Sequence, residues 1–213
     1  MPDEEIKRVY RSPLRTRRAV ATRRRIRTAA ETLFVRDGYS ATSMKQVAAQ
    51  AGVAERTLYL NFPTKAELLN EIIRVAVRGH DCDQPLAGGA GFEAVIHAPA
   101  GELLREFARM TAGLMSRTAR LLAIGEAAAT VDPALREFRD RGHAATRADL
   151  LAVANALSER GELAPGVTPQ QAADTMFAVA GSEAPYLRLL DECGWSDDDY
   201  AQLLERLLSN LVN

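Results

Sequence analysis

The chain is expected to be all-α, and three observations carry that expectation. Apolar residues recur at helical spacing almost throughout, alternating runs of β-branched residues are missing, and helix-capping signals separate one periodic segment from the next. A first helix is expected over residues 22–36, where Ile26, Ala29, Ala30, Leu33 and Phe34 share one face, and Asp37-Gly38 ends it. Ser43 and Gln46 form a capping box ahead of a second helix, whose Met44, Val47, Ala48 and Ala51 make one apolar stripe. Gly52 supplies a turn into a short third helix over residues 54–61. Val53, Leu58 and Phe62 face its core side, which leaves Glu55, Arg56, Thr57, Tyr59 and Asn61 largely outward. Pro63 stops that helix, and a second capping box, Thr64 with Glu67, opens a fourth over residues 65–78.

A glycine-rich stretch, residues 79–98, reads as a loop holding Pro85, Gly88, Gly89 and Gly91. Further helices are expected over residues 99–118, 119–130, 133–160, 169–180, 182–193 and 197–211. Asp132-Pro133 and Thr168-Pro169 pair an N-cap with a proline at the first helical position, and Ser196 precedes an acidic first turn of Asp197, Asp198 and Asp199. No internal repeat is present. Three regions follow: a basic arm over residues 1–21, expected to be flexible; a helix-turn-helix domain over residues 22–70; and a helical body over residues 71–213.

Composition narrows the function. The whole chain has a net charge of −1, yet residues 1–80 hold 16 Lys/Arg against 8 Asp/Glu, and residues 81–213 hold 11 against 20. A basic head on an acidic body points to a nucleic-acid partner for the head. Cys82 and Cys193 lie far apart and outside any metal-like spacing, so a reducing compartment is expected and no disulfide framework. His80 and Cys82 give only two ligand types in a loop, too few for a zinc site, and no cofactor or metal is expected. No apolar run approaches the ~18 residues of a membrane span, and the N-terminus lacks a signal-peptide hydrophobic region, so the expected location is the cytoplasm without membrane contact. With three histidines and no Ser/His/Asp set or phosphate loop, catalysis is not expected.

The chemistry of the head suits DNA. A helix over residues 54–61 is about 12 Å long, close to the width of the major groove. Thr42, Ser43, Thr57, Tyr59 and Lys65 offer hydroxyls, a phenol and an ammonium near helix N-termini, where backbone N–H groups favour phosphate. Arg56 can fork onto guanine O6 and N7, and Lys45, Glu55 and Asn61 are further candidates for base contact. Lys7, Arg8, Arg11, Arg15, Arg17, Arg18, Arg23, Arg24, Arg25 and Arg27 form a basic arm ahead of the motif. Two roles fit that arm: entry into the minor groove, or affinity gained through counterion release alone.

Phe34, Gly38-Tyr39, Thr42-Ser43, Val47-Ala48, Ala51-Gly52-Val53, Thr57-Leu58-Tyr59, Phe62, Lys65 and Leu68-Leu69 follow one another at fixed offsets. In this order and spacing the stretch over residues 22–69 resembles the DNA-binding domain of the tetracycline-repressor (TetR) family of bacterial transcription regulators. The resemblance implies that Ser43, Thr57, Tyr59, Asn61 and Lys65 touch phosphate or base edges. Three residues depart from it: Ala54 stands in place of a frequent serine N-cap, Leu60 of a frequent aromatic, and Asn61 of a frequent histidine.

For the body, the resemblance implies a four-helix interface between two copies, built from the C-terminal helices, and a small-molecule effector. The sequence offers compatible faces. Tyr200, Leu203, Leu204, Leu207, Leu208 and Leu211 form a continuous stripe, and Ala173, Met176, Phe177 and Ala180 another. Phe107, Met110, Leu114, Met115 and Phe138, with Met176 and Phe177, are candidates for a soft apolar pocket. Glu126, His143 and Thr146 are candidates to orient an apolar or amphipathic effector there. Each of these residues also fits ordinary core or surface. The expected partners are therefore a double-stranded DNA operator, a second copy and a small effector, in a ligand-released repressor. A sequence-independent DNA binder is the alternative, and a helical enzyme a more distant one.

Overall fold

Helix α1 (Pro13–Asp37) packs on α2 (Met44–Ala51) and α4 (Lys65–Arg78), and the short α3 (Glu55–Asn61) packs on α2. The computed structural model describes residues 13–79 and 89–213. Beyond the head come α5 (Ala90–Ile96), α6 (Leu103–Ala129), α7 (Pro133–Glu159), α8 (Pro169–Ala180), α9 (Glu183–Cys193), α10 (Asp197–Leu208) and a 3₁₀ turn (Ser209–Leu211). Among the described residues the one β-type pairing is an isolated bridge between Leu163 and Val212.

The N-caps read from the sequence operate, although at α4 Thr64 accepts from the Glu67 N–H at 3.1 Å without the return bond of the expected capping box. Ser43, Thr168 and Ser196 each close a reciprocal capping box, with Gln46, Gln171 and Asp199 respectively, and Asp132 caps α7 ahead of Pro133. Three boundaries differ from expectation. Helix α1 starts at Pro13, so residues 13–21, expected as flexible arm, are helical; proline suits a first helical position and no glycine or proline follows before Gly38. The helices expected over 99–118 and 119–130 are one helix, α6. The junction residue Thr118 is buried, and its hydroxyl donates to the Leu114 carbonyl within the helix, at 2.7 Å. The loop expected over 79–98 contains α5, because Phe92 and Val95, one turn apart, are buried against the body. The guanidinium of Arg160 donates to the carbonyls of Ile96 and Ala98 and ties the end of α5 to α7. His80, Cys82 and the arm residues before Pro13 lie outside the described residues.

Two cores form, and the first crosses the boundary between head and body. Ile26, Ala30, Phe34, Val47, Leu58, Leu68 and Leu69 pack with Leu121, Ala128 and Ala129 of α6 and Leu135 of α7. The second joins α5, α6, α7, α8 and α10 around Leu103, Phe107, Leu157, Met176, Leu204 and Leu208. Helices α8 and α9 are separate because the chain bends at Gly181. A Cβ there would lie 2.4 Å from the Phe177 carbonyl oxygen, too close for any other residue without local movement.

Tyr186 and Tyr200 meet edge to face in this second core, with ring centroids 5.0 Å apart. Burial pushes both phenols up to about 12, from an ordinary value of 10.0. A raised folded-state pKa adds stability that is fully present below pH 10.0 and is lost as pH rises towards about 12. Urea midpoints are therefore expected to fall over that alkaline interval. Tyr200→Phe should remove part of the fall, because the Tyr200 hydroxyl makes no hydrogen bond to the described protein atoms.

Candidate nucleic-acid interface

The turn before α3 is fixed from two sides. Gly52 takes a left-handed conformation (φ 61°) that closes α2, with its N–H donating to the Ala48 and Ala49 carbonyls. From α1, the Arg25 guanidinium donates to the Ala51 carbonyl (Nε 3.2 Å, Nη2 2.9 Å) and to the Gly52 carbonyl (2.9 Å). A cation on the carbonyl end of a helix satisfies its free acceptors and opposes its dipole. Arg25→Ala is thus expected to cost about 1–2 kcal/mol of stability, read as a lower urea midpoint with an unchanged m-value.

Helix α3 is held by Leu58, 0% exposed, and the following Phe62, 2% exposed. On its other side Glu55, Arg56, Tyr59 and Leu60 are exposed. Thr57 and Asn61 are half-buried, and the Asn61 amide donates to the Thr57 carbonyl at 2.8 Å. Ala54 provides no side-chain cap, as its identity required. Ser43 and Lys45, at the start of α2, are exposed as expected.

Two expected DNA contacts, Thr42 and Lys65, also have partners within the fold. Thr42 is buried, and its hydroxyl donates to the Gly38 carbonyl at 2.9 Å and the Leu33 carbonyl at 3.3 Å, so its side chain belongs to the turn after α1. The Lys65 ammonium donates to the Tyr39 and Thr42 carbonyls, at 2.8 and 2.9 Å, and sits 4.2 Å from the centre of the Tyr39 ring. Burial holds its pKa below the ordinary lysine value, with Asp132 opposing that shift. Of its three donors one remains for an outside acceptor. The Tyr39 hydroxyl in turn donates to Asp132 Oδ2 at 2.9 Å, while Asp132 Oδ1 accepts from the Ala134 N–H at the start of α7. One hydrogen-bonded chain therefore runs from the head through Tyr39 to the α6–α7 turn of the body.

The basic arm divides in the same way. Arg23 donates to the Asn61 carbonyl at 2.9 Å, reaches Glu71 at 3.2 Å and lies 4.4 Å from the centre of the Phe62 ring. Arg27 and Arg74 also approach Glu71, at 3.6 and 3.3 Å. Arg23 and Arg25 are thus fasteners of the motif, a role that depends on partners 26 to 48 residues away and has no local signature in sequence. Arg17, Arg18 and Arg24 are exposed.

In the body, three pocket candidates come together. His143 Nε2 lies 3.2 Å from Glu126 Oε1, and the His143 ring meets the Phe177 ring edge-on at 6.0 Å. Arg139 also approaches Glu126, at 3.7 Å. Phe107, Met115 and Met176 are buried in the second core, Met110 packs against it, and Phe138 packs on the head's core instead. Leu114 and Thr146 are half-buried. A cavity of about 420 Å³ opens between α1, α6 and α9, lined by Val35, Met115, Leu121, Tyr186, Leu187 and Leu190 among others. Of the pocket candidates, Met115 lines this cavity. Among the described residues no group of three metal-ligating side chains occurs, and no helix is long and apolar enough to cross a membrane.

Residues 26–72, which span α1 to α4, match the family of bacterial regulatory proteins described as tetR. No curated protein matches the sequence. Among solved structures, NalD of Pseudomonas aeruginosa, the secondary repressor of the MexAB-OprM multidrug efflux pump, is 26% identical, with 92% of this chain and 98% of that chain covered at a TM-score of 0.67. A transcriptional regulator from Saccharomonospora viridis in complex with choline is 21% identical, with 91% and 99% covered at a TM-score of 0.72. SmeT of Stenotrophomonas maltophilia, in complex with triclosan, is 19% identical, with 91% and 92% covered at a TM-score of 0.72.

Proposed function

We propose that this chain, whose residues 26–72 match the family of bacterial regulatory proteins described as tetR, is a cytoplasmic, homodimeric repressor of that kind, released from a palindromic operator by a small apolar or amphipathic effector. The observation that carries the reading is α3. It is anchored through Leu58 and Phe62, while Arg56, Tyr59 and Leu60 face solvent from a strongly basic head. A helix fixed this firmly presents a preorganised set of side chains to the major groove. Arg56 then reads a base, Glu55 and Asn61 border it, and Ser43, Thr57, Tyr59 and the last donor of Lys65 bind phosphate; Lys45, first considered for a base, lies in the first turn of α2 and not on α3, and is assigned to phosphate with them.

One such helix reads a short half-site, so two copies are needed for a full operator. The surface of α8 to α10 supplies the dimer contact, with Leu207, 49% exposed, as its most open large apolar residue. An effector bound in the body moves the two heads apart. Helix α4 transmits that movement because it starts in the head at Lys65 and packs along α6, whose Leu121, Ala128 and Ala129 sit in the head's own core. To convert a largely DNA-competent population into an incompetent one, the effector must discriminate between the two states by about 5 kcal/mol. Glu126 and Phe177, which both meet His143, are with it the polar and aromatic groups assigned to orient the effector.

Selection of the full-length protein's preferred duplexes from random DNA tests this function. An inverted repeat with two equivalent half-sites is the expected product. Recovery of duplexes with no common sequence would instead identify a sequence-independent DNA binder.

A further inference from the structure

Leu60 is 76% exposed, the most exposed large hydrophobic residue among the described ones. Its position is not a loop tip or a chain end. It lies in the last turn of α3, two residues from each of the anchors Leu58 and Phe62, and so points away from the core that holds them. Arg56 is four residues earlier, on the same face, and is also exposed. A second exposed ring, Tyr59, is 47% exposed beside it. An apolar side chain thus stands in solvent on the same helical face as the exposed Arg56, in a head of net positive charge.

The occupant of that surface is set by charge. Residues 1–80 carry 16 Lys/Arg against 8 Asp/Glu, and the exposed Arg56, Lys45, Arg24, Arg17 and Arg18 lie on the head's helices. A polyanion fits; a second copy of the same basic head does not. In the major groove of DNA the apolar group that distinguishes one base from the others is the thymine 5-methyl. We propose that Leu60 is a specificity-determining residue that packs on a thymine 5-methyl group in each half-site. This inference rests on the reading of α3 as the recognition helix and names one letter of its target. Four helical residues rise about 6 Å, near two base-pair steps of about 3.4 Å, so the thymine falls within about two base pairs of the base that Arg56 contacts.

The test uses the full-length protein and the duplex recovered by random selection, with each thymine replaced in turn by deoxyuridine. That change deletes one methyl group and leaves base pairing intact. One position per half-site is expected to weaken binding about fourfold, the worth of one buried methyl. Leu60→Ala should bind the thymine and deoxyuridine duplexes alike, and Leu60→Met should retain most of the difference. Because the side chain is exposed, neither change threatens the fold. The inference is overturned if no position responds to deoxyuridine, or if Leu60→Ala keeps the full preference for thymine. A uniform loss on both duplexes would also overturn it, because Leu60 would then serve general affinity alone. If selection yields a clear inverted repeat and deoxyuridine has no effect, only the role of Leu60 fails; if selection yields no common sequence, the repressor reading fails with it.

Discussion

Replacing Arg56 with alanine should weaken binding to the selected operator by about 1–3 kcal/mol, roughly 5- to 150-fold, and flatten the preference at one base pair in each half-site. The size follows from geometry. Arg56 is exposed on α3 and makes no hydrogen bond or ion pair among those the structure shows, so its guanidinium is free to form two parallel hydrogen bonds to one base. Lys45→Ala should behave differently. A phosphate contact is lost equally from every sequence, so affinity falls across all duplexes and the slope of log K against log salt becomes shallower by about one. Tyr59→Phe removes a phenol hydroxyl and should cost about 1 kcal/mol on any duplex. If Arg56→Ala and Tyr59→Phe both left affinity and sequence preference unchanged in gel shifts, α3 would not be the recognition helix.

The largest effect on stability is expected at Phe34. Its side chain is 0% exposed at the centre of the head, and its ring lies 5.7 Å from that of Tyr39. Truncation to alanine leaves a cavity that the surrounding Ile26, Val47, Leu68 and Leu69 cannot fill, because each is fixed by its own helix. Phe34→Ala should therefore cost about 3–5 kcal/mol in urea denaturation. Val35→Ala, one residue on but 46% exposed, should fall within about 0.5 kcal/mol of the parent. Since the same core takes in Leu121 and Leu135 from the body, the loss should spread beyond the head. Leu135→Ala in α7 is the control, expected to cost about 2–5 kcal/mol although it lies far from α3 in sequence. A small loss at Leu135 would mean that head and body have separate cores.

What the sequence revealed was local. Ser43 with Gln46, Asp132 with Pro133 and Ser196 with Asp199 announce helix starts because the whole signal lies within a few residues, and the apolar stripe of α1 announces its buried face. The fixed offsets around Gly52 go further and identify a DNA-binding motif. Interactions made by partners distant in the chain were not legible. Lys65 looks like a free cation until the chain folds and brings the carbonyls of residues 39 and 42 onto its ammonium. Thr42 looks like a free hydroxyl until the turn after α1 buries it. Arg25 reads as part of a charged arm, and only folding sets it against the end of α2. Thr118 resembles a boundary between helices, although its hydroxyl is satisfied inside α6.

In the body the sequence nominated Glu126, His143 and Phe177 by type alone, and folding brings those three into contact. Phe107 and Met176, nominated on the same grounds, are core residues. An apolar side chain that lines a pocket and one that fills a core have the same composition and period, and only packing separates them. Tyr39 was visible as part of the motif, but its bond to Asp132 was not, because that contact spans 93 residues.

This basic head is expected to distinguish one DNA sequence from another. Equilibrium titration of the full-length protein at about 0.15 M salt, against the selected inverted repeat and a scrambled duplex of equal length and composition, tests it most directly. Two chains per repeat and an affinity at least about 1,000-fold tighter than for the scrambled duplex are the expected result. Equal affinity for both duplexes, with the same salt slope, would contradict it.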